Sequence, residues 1–341
     1  MRIGILTHPQ GGNYGGLLQC YALCTYLKKL GHDPIVIQRV ADRSFWLWEF
    51  IRNILKTLHF PRYYNSNNVD RLVHIRPFID KYLIRTMPID SQRKMRKVCE
   101  KYHLDAVIVG SDQVWRHDYA MKFGYNYFLD FVPENIIKLS YAASFGLSEW
   151  HYTASQTKKI KQLLSCFRGI SVRESDAVPM LKHAIGINSM QLIDPTMLLL
   201  KEDYDIITSP RIVLEKYVFV YWLGDKQTIY PEIEKYRNNG FSVVDLNLRD
   251  RVEQIPVEDW LSYIKYADRV ITDSFHGCVF SILFERQFKV YLNTSGGTSR
   301  IASLCSMFSI RNECQMDYSA LNDILEQYRN KSENYFKSIL C

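Results

Sequence analysis

Short apolar runs recur along the chain, each followed by a stretch of helical character, and this alternation limits the possible folds more than any other feature. In the first half the runs are "RIGILT" (2–7), "DPIVIQ" (33–38), "DAVIVG" (105–110), "KLSYAAS" (138–144) and "GISVRE" (169–174). "QLIDPTMLL" (191–199) reads as a last strand and a crossing point, after which "YVFVYWLG" (217–224) restarts the pattern. "FSVVDLN", "RVITD" and "FKVYLN" continue it. Helical stretches lie between, among them "GLLQCYALCTYLKKLG" (16–31), 91–103, 153–167, "VEDWLSYIKYA" (257–267) and "HGCVFSILFE" (276–285). Strands alternating with helices predict an α/β fold with mainly parallel sheets. With 341 residues, 47% of them hydrophobic, the chain can bury two cores. The expected division is an N-terminal Rossmann-like unit, 1–200, and a C-terminal one, 201–341, facing each other across a cleft. A helical segment at 319–338 caps one of the two. One stretch fits neither unit: "SFWLWEFIRNILKTLHFPRYY" (44–64) reads as an insertion, near 44–90. It is expected either to pack on the first unit or to touch a membrane surface.

Composition narrows the function classes. "MRIGILT" reads as a strand rather than a secretory leader. No apolar run approaches the roughly 18 residues that span a bilayer. The eight cysteines contain no CxxC pair, and Cys20 with Cys24, one helical turn apart, reads as a core face. A reduced, cytoplasmic chain follows, with contact at the inner face of the membrane expected only through 44–64. The net charge of +7 favours anionic small molecules or an anionic surface. The basic stretch "RKMRKVCEKYH" (93–103) lacks the interleaved aromatic residues of a single-strand binder, so no nucleic-acid partner is expected.

Ligands of open α/β sheets bind beyond the carboxyl ends of the strands, so the residues that follow each strand are the candidates. After the first comes "HPQGGNYGG" (8–16), whose glycines let the backbone approach a ligand, with Asn13 and Tyr14 among them. It is not a GxGxxG motif. After "DAVIVG" come Ser111, Asp112, Gln113 and Trp115. Trp115 offers a flat face of the kind sugars stack on, and Asp112 reads either as a functional acid or as a helix cap. Arg173, after "GISV", is a planar fork suited to carboxylate or phosphate, or else a surface partner of Glu174. After "RVIT" come Asp273, Ser274, His276 and Gly277, opening a helix. There Ser274 would cap the helix, its N-terminus would attract an anion, and His276 would face that anion as a proton donor or acceptor. "NTSGGTSR" (293–300) forms a similar turn that ends in Arg300.

In this order, "GILTHPQGGNYGGLLQCYAL", "DAVIVGSDQVW", "LSYAASFG", "ISVRES", "LIDPTMLL" and "YADRVITDSFHGCVFSILFERQF" resemble the polysaccharide pyruvyl transferase family. The resemblance runs from the first strand to about residue 290. It implies two Rossmann-like domains in a glycosyltransferase-B-like arrangement. It also implies transfer of pyruvate from phosphoenolpyruvate to two hydroxyls of a saccharide acceptor during assembly of bacterial surface polysaccharide, and leaves open whether that acceptor is lipid-linked. Phosphoenolpyruvate is then a co-substrate, and no cofactor or metal is called for. On this reading His276 and Asp112 are the catalytic acid and base. Arg173, Arg300, Ser274 and Gly277 hold the donor, and Asn13, Tyr14, Gln113 and Trp115 hold the acceptor. The sequence departs from the family at one point. Better-described members carry Arg-x-His, whereas here Ser274 stands two before His276, and Arg300 is expected to supply the missing guanidinium. A nucleotide-sugar glycosyltransferase and a non-catalytic glycan-binding relative are the alternative readings.

Overall fold

The computed structural model describes residues 1–41, 72–246, 254–292, 298–310 and 316–340. The expected membrane-contacting stretch 44–64, with Trp46 and Trp48, and the glycines of the 293–297 turn lie outside these residues. Six strands, β1 (Arg2–Leu6), β2 (Asp33–Val36), β3 (Ala106–Val109), β4 (Ile137–Ala143), β5 (Gly169–Val172) and β6 (Met190–Gln191), form one sheet in the order β2-β1-β3-β4-β5-β6. Every pairing in it is parallel. Four more, β7 (Tyr217–Tyr221), β8 (Ser242–Asp245), β9 (Arg269–Thr272) and β10 (Phe288–Val290), form a second parallel sheet ordered β10-β9-β7-β8. The central strands read AVIV in β3 and YVFVY in β7 and are buried at every position. Such continuous apolar runs suit parallel strands covered on both faces.

Two expectations change. The "QLIDPTMLL" run is not a full strand: β6 covers two residues, and Pro195 then opens a 3₁₀ turn, Pro195–Met197. Proline supplies no ladder N–H, and the Asp194 side chain accepts from the Thr196 amide, so the chain turns here. The C-terminal helix, Tyr318–Leu340, does not belong to the second unit alone. It starts there, with the Tyr318 hydroxyl donating to the Arg286 carbonyl and Asn322 to Glu285 at 2.9 Å. It ends on the first sheet, where Tyr335 donates to the Ser140 carbonyl at 2.7 Å and Phe336 stacks on Tyr141 at 4.7 Å. Its buried side chains Leu321, Leu325, Tyr335, Phe336 and Ile339 repeat at helical spacing and join one apolar core that runs through both units.

The units meet at the carboxyl ends of their strands. Tyr14 opens the first helix, Tyr14–Lys29. Its ring stacks on Trp260 of the second unit at 5.3 Å and 9°, and its hydroxyl donates to the Ile255 carbonyl at 2.9 Å. Gln254 donates to the Gly12 carbonyl beside it. Ser175 of the first unit donates its amide to Ser303 Oγ of the second at 3.0 Å.

Candidate active site

Two helix N-termini converge at this junction. Asn13 caps the first helix, its Oδ1 accepting from Gly16 N at 3.2 Å. Ser274 caps the helix Phe275–Leu283, its Oγ accepting from Gly277 N at 3.4 Å. His276 lies in the first turn of that helix and packs over the start of the other. A Cβ on Gly15 would overlap the imidazole Nδ1, so only glycine permits this approach. Gly277 is tied inward in the same way: a Cβ there would overlap Thr272 Oγ1. Its part is close helix–strand packing, with its amide engaged by the Ser274 cap.

Arg173, directly after β5, is 3% exposed and forms the centre of a buried knot. Its Nη1 donates to Asp194 Oδ2 at 2.9 Å, its Nε lies 3.4 Å from Glu174 Oε1, and its Nη2 lies 3.6 Å from Asp112 Oδ1. The guanidinium also covers the Phe275 ring at 4.6 Å. Asp194 is the residue that sequence reasoning passed over. Its Oδ1 accepts from the Thr196 amide and hydroxyl at 3.0 and 2.7 Å, and its Oδ2 lies 3.7 Å from His276 Nε2. Burial alone would raise its pKa, but His276, Arg173 and the Thr196 amide hold it well below the usual carboxylate range. The Asp-Pro pair of "LIDPTMLL" is the available signal, an acid at the end of an apolar run.

Asp112 is the hub that joins this knot to an open cleft. Its backbone has φ of 71°, in the left-handed region that Asp tolerates better than most residues. Burial opposes its ionisation, yet Arg173, His8, Arg300 and His276 together hold its pKa below the ordinary value. The cleft, of about 390 Å³, is lined by His8, Asn13, Asp112, Gln113, Tyr119, Lys122 and neighbouring loop residues. A separate void of about 10 Å³, room for one water, lies among Arg173, Asp194, Phe275 and Arg300.

Arg300, in the helix Thr298–Met307, reaches the same cluster. Burial and the like charge of Arg173 lower its pKa, while Asp112 and Glu174 act the other way. The structure therefore brings together Asp112, Arg173, Arg300, His276, Asn13 and Gln113. Trp115 does not join them. It is fully buried, stacks on Phe128 at 5.9 Å and donates Nε1 to the Tyr127 carbonyl at 2.9 Å, leaving no face for a sugar. Tyr119, Phe123 and the His8 imidazole line the cleft. Tyr14 serves the contact between units rather than the cleft. Asp273 is structural as well, since its carboxylate accepts from the amides of Leu223 and Gly224, each at 2.7 Å.

The architecture is that of the glycosyltransferase-B-type enzymes. The structure is similar to the UDP-GlcNAc 2-epimerase of Methanocaldococcus jannaschii, with a TM-score of 0.53 and 12% identity, over 97% of this chain and 93% of that one. It is also similar to a putative UDP-N-acetylglucosamine 2-epimerase of Listeria monocytogenes, with a TM-score of 0.54 and 10% identity, over 99% and 90% of the two chains. At such identities the likeness is one of fold. The sequence goes further: residues 13–293 match the polysaccharide pyruvyl transferase family, and the chain belongs to that family of transferases. No curated relative matches it. Among the described residues, no helix is long and apolar enough to cross a membrane.

Proposed function

We propose that this enzyme transfers the pyruvyl group of phosphoenolpyruvate to two hydroxyls of a saccharide, forming a cyclic ketal and releasing phosphate. One observation carries this reading. Arg173 Nη2, Arg300 Nε and His276 Nε2 are all buried, all in the field of Asp112, and have no hydrogen-bond partner among the described residues. A buried donor left unpaired costs about 1–3 kcal/mol. The two guanidinium nitrogens suit the two anionic ends of phosphoenolpyruvate, its carboxylate and its phosphate, and leave the His276 nitrogen for its methylene carbon.

Arg173 and Arg300 hold the two anionic ends, helped by the helix N-termini at Asn13 and Ser274. Arg300 thereby supplies the guanidinium that Ser274 does not. His276 gives a proton to the methylene carbon, which becomes a methyl group and leaves the adjacent carbon open to attack. The imidazole is 6% exposed and the void beside Arg173 and Arg300, of about 10 Å³, has room for one water, so on this reading the donor is seated only when the units part to admit it. Two acceptor hydroxyls lose their protons in the full reaction. One of these protons ends on the methyl carbon and the other on the departing phosphate. The acceptor lies in the cleft along Asn13, Gln113, Tyr119 and Phe123. Lipid linkage of that acceptor, a place in capsule or exopolysaccharide assembly, and attachment at the inner membrane face through 44–64 belong to this proposal as its setting.

The test is incubation of the purified protein with phosphoenolpyruvate and a panel of saccharides bearing vicinal or 4,6-diols. Release of phosphate that depends on acceptor is the expected result, with His276→Ala losing about 10²–10⁴-fold in turnover while still binding the donor. Release of a nucleoside diphosphate from a nucleotide sugar, with phosphoenolpyruvate left intact, would replace this reading by the glycosyltransferase one.

A further inference from the structure

The cleft is lined by a histidine other than His276. His8 follows β1 as His276 follows β9, and its ring forms part of the wall beside Asp112 and Gln113. Two tyrosines fix the ring, with edge contacts from Tyr119 at 5.4 Å and Tyr127 at 5.5 Å. Nδ1 lies 3.4 Å from the Tyr127 hydroxyl, and Nε2 has no hydrogen-bond partner among the described residues. From the geometry we infer that His8 is the general base that takes the proton from the attacking saccharide hydroxyl, with Asp112 as the anion that stabilises the resulting imidazolium. This inference rests on the transferase reading above.

The chemistry calls for such a group. The hydroxyl O–H bond breaks, the proton passes to Nε2, and the oxygen's electron pair forms the bond to the electrophilic carbon of the pyruvyl group. When the C–O bond to phosphate breaks, that bonding pair leaves with phosphate, and His8 returns the proton to it. The second hydroxyl then adds to the same carbon, and its proton restores the one His276 gave to the methylene carbon. Asp112 is poorly suited to the role, because the surrounding cations hold its pKa below the ordinary carboxylate value. His8 is better matched. Burial lowers its pKa, and the charges of Arg173 and Lys122 add to this, while Asp112 and the Gln113 backbone oppose it. The imidazole is then neutral at pH 7 and free to accept a proton.

The experiment compares wild type, His8→Ala and Tyr127→Phe for phosphate release across pH, with phosphoenolpyruvate affinity measured by calorimetry and folding by thermal unfolding. In the wild type, kcat/KM should fall on the acid side as pH drops through the His8 pKa, below the ordinary value of about 6.5. His8→Ala should lose about 10²–10⁴-fold in kcat and lose the acid limb, while its donor affinity stays within about twofold. Added imidazole, which fits the vacated cleft wall, should restore about tenfold or more of the lost rate. Tyr127→Phe should keep most of the rate and shift the acid limb. An acid limb that persists in His8→Ala, a folded variant that imidazole does not rescue, or a loss of donor affinity equal to the loss of rate would each overturn the assignment while leaving the transferase reading in place. If the wild type itself releases no phosphate with any diol, the transferase reading falls and His8's role falls with it.

Discussion

The Arg173 knot and the His8 cleft share one wall, Asp112, and are built on opposite principles. In the knot the groups are dry. The Asp194 carboxylate is committed to Thr196, Arg173 and Ser111, and Glu174 Oε1 to Ser144, while Arg173 Nη2 and Glu174 Oε2 have no hydrogen-bond partner among the described residues. In the cleft the groups are wet on one side, and Asn13 and Lys122 are exposed. A buried ion pair contributes little net stability when intact but is costly to break, because the abandoned charge stays in low dielectric. An exposed charge costs little to remove. The knot therefore supplies fixed geometry, and the cleft supplies the room that a sugar needs. Substitutions should separate accordingly, into those that cost stability and those that cost only rate or affinity.

Arg173→Ala should have the largest effect, since it leaves Asp194 and Glu174 buried without their cation. A loss of about 3–5 kcal/mol in chemical denaturation is expected, and a stable folded variant would show that the knot contributes less than its burial suggests. Gly15→Ala forces the imidazole of His276 away from the first helix. A loss of about 1–3 kcal/mol is expected from overpacking, accompanied by reduced turnover, and unchanged values for both would mean that the two helices part easily. Arg300→Ala sharpens the comparison because this residue lies where knot and cleft meet. Its donor affinity should weaken about tenfold, equivalent to about 1.4 kcal/mol, with a smaller loss of stability than Arg173→Ala. Unchanged affinity would remove Arg300 from the donor site. Tyr14→Phe should do least, losing the bond to Ile255 for about 1 kcal/mol and leaving the stacking on Trp260 in place.

The alternation of strands and helices was legible because parallel strands buried on both faces have to be apolar throughout, as AVIV and YVFVY are. The strand-end residues were legible for the same reason: an acid, a guanidinium or an imidazole after such a run stands out. What the sequence could not separate was an acid held by backbone amides from one facing a ligand. Asp273 and Asp112 both follow strands, yet the first is held by Leu223 and Gly224 while the second borders the cleft. Trp115 was misplaced because nothing local reveals that Phe128 and Phe145 close over it. His8 was overlooked beside the glycines of its own turn. The path of the C-terminal helix depends on Tyr141 and Ser140, nearly two hundred residues away in sequence, and local pattern carries no such information.

The central claim is that buried nitrogens around Asp112 grip an anionic three-carbon donor. The most direct measurement is a crystal structure of the protein with phosphoenolpyruvate bound. The account predicts the donor between the units, with Arg173 and Arg300 on its anionic groups and His276 Nε2 against its methylene carbon. A donor bound elsewhere, with those nitrogens still unpaired and the imidazole still sealed against Gly15 and Asp194, would contradict it.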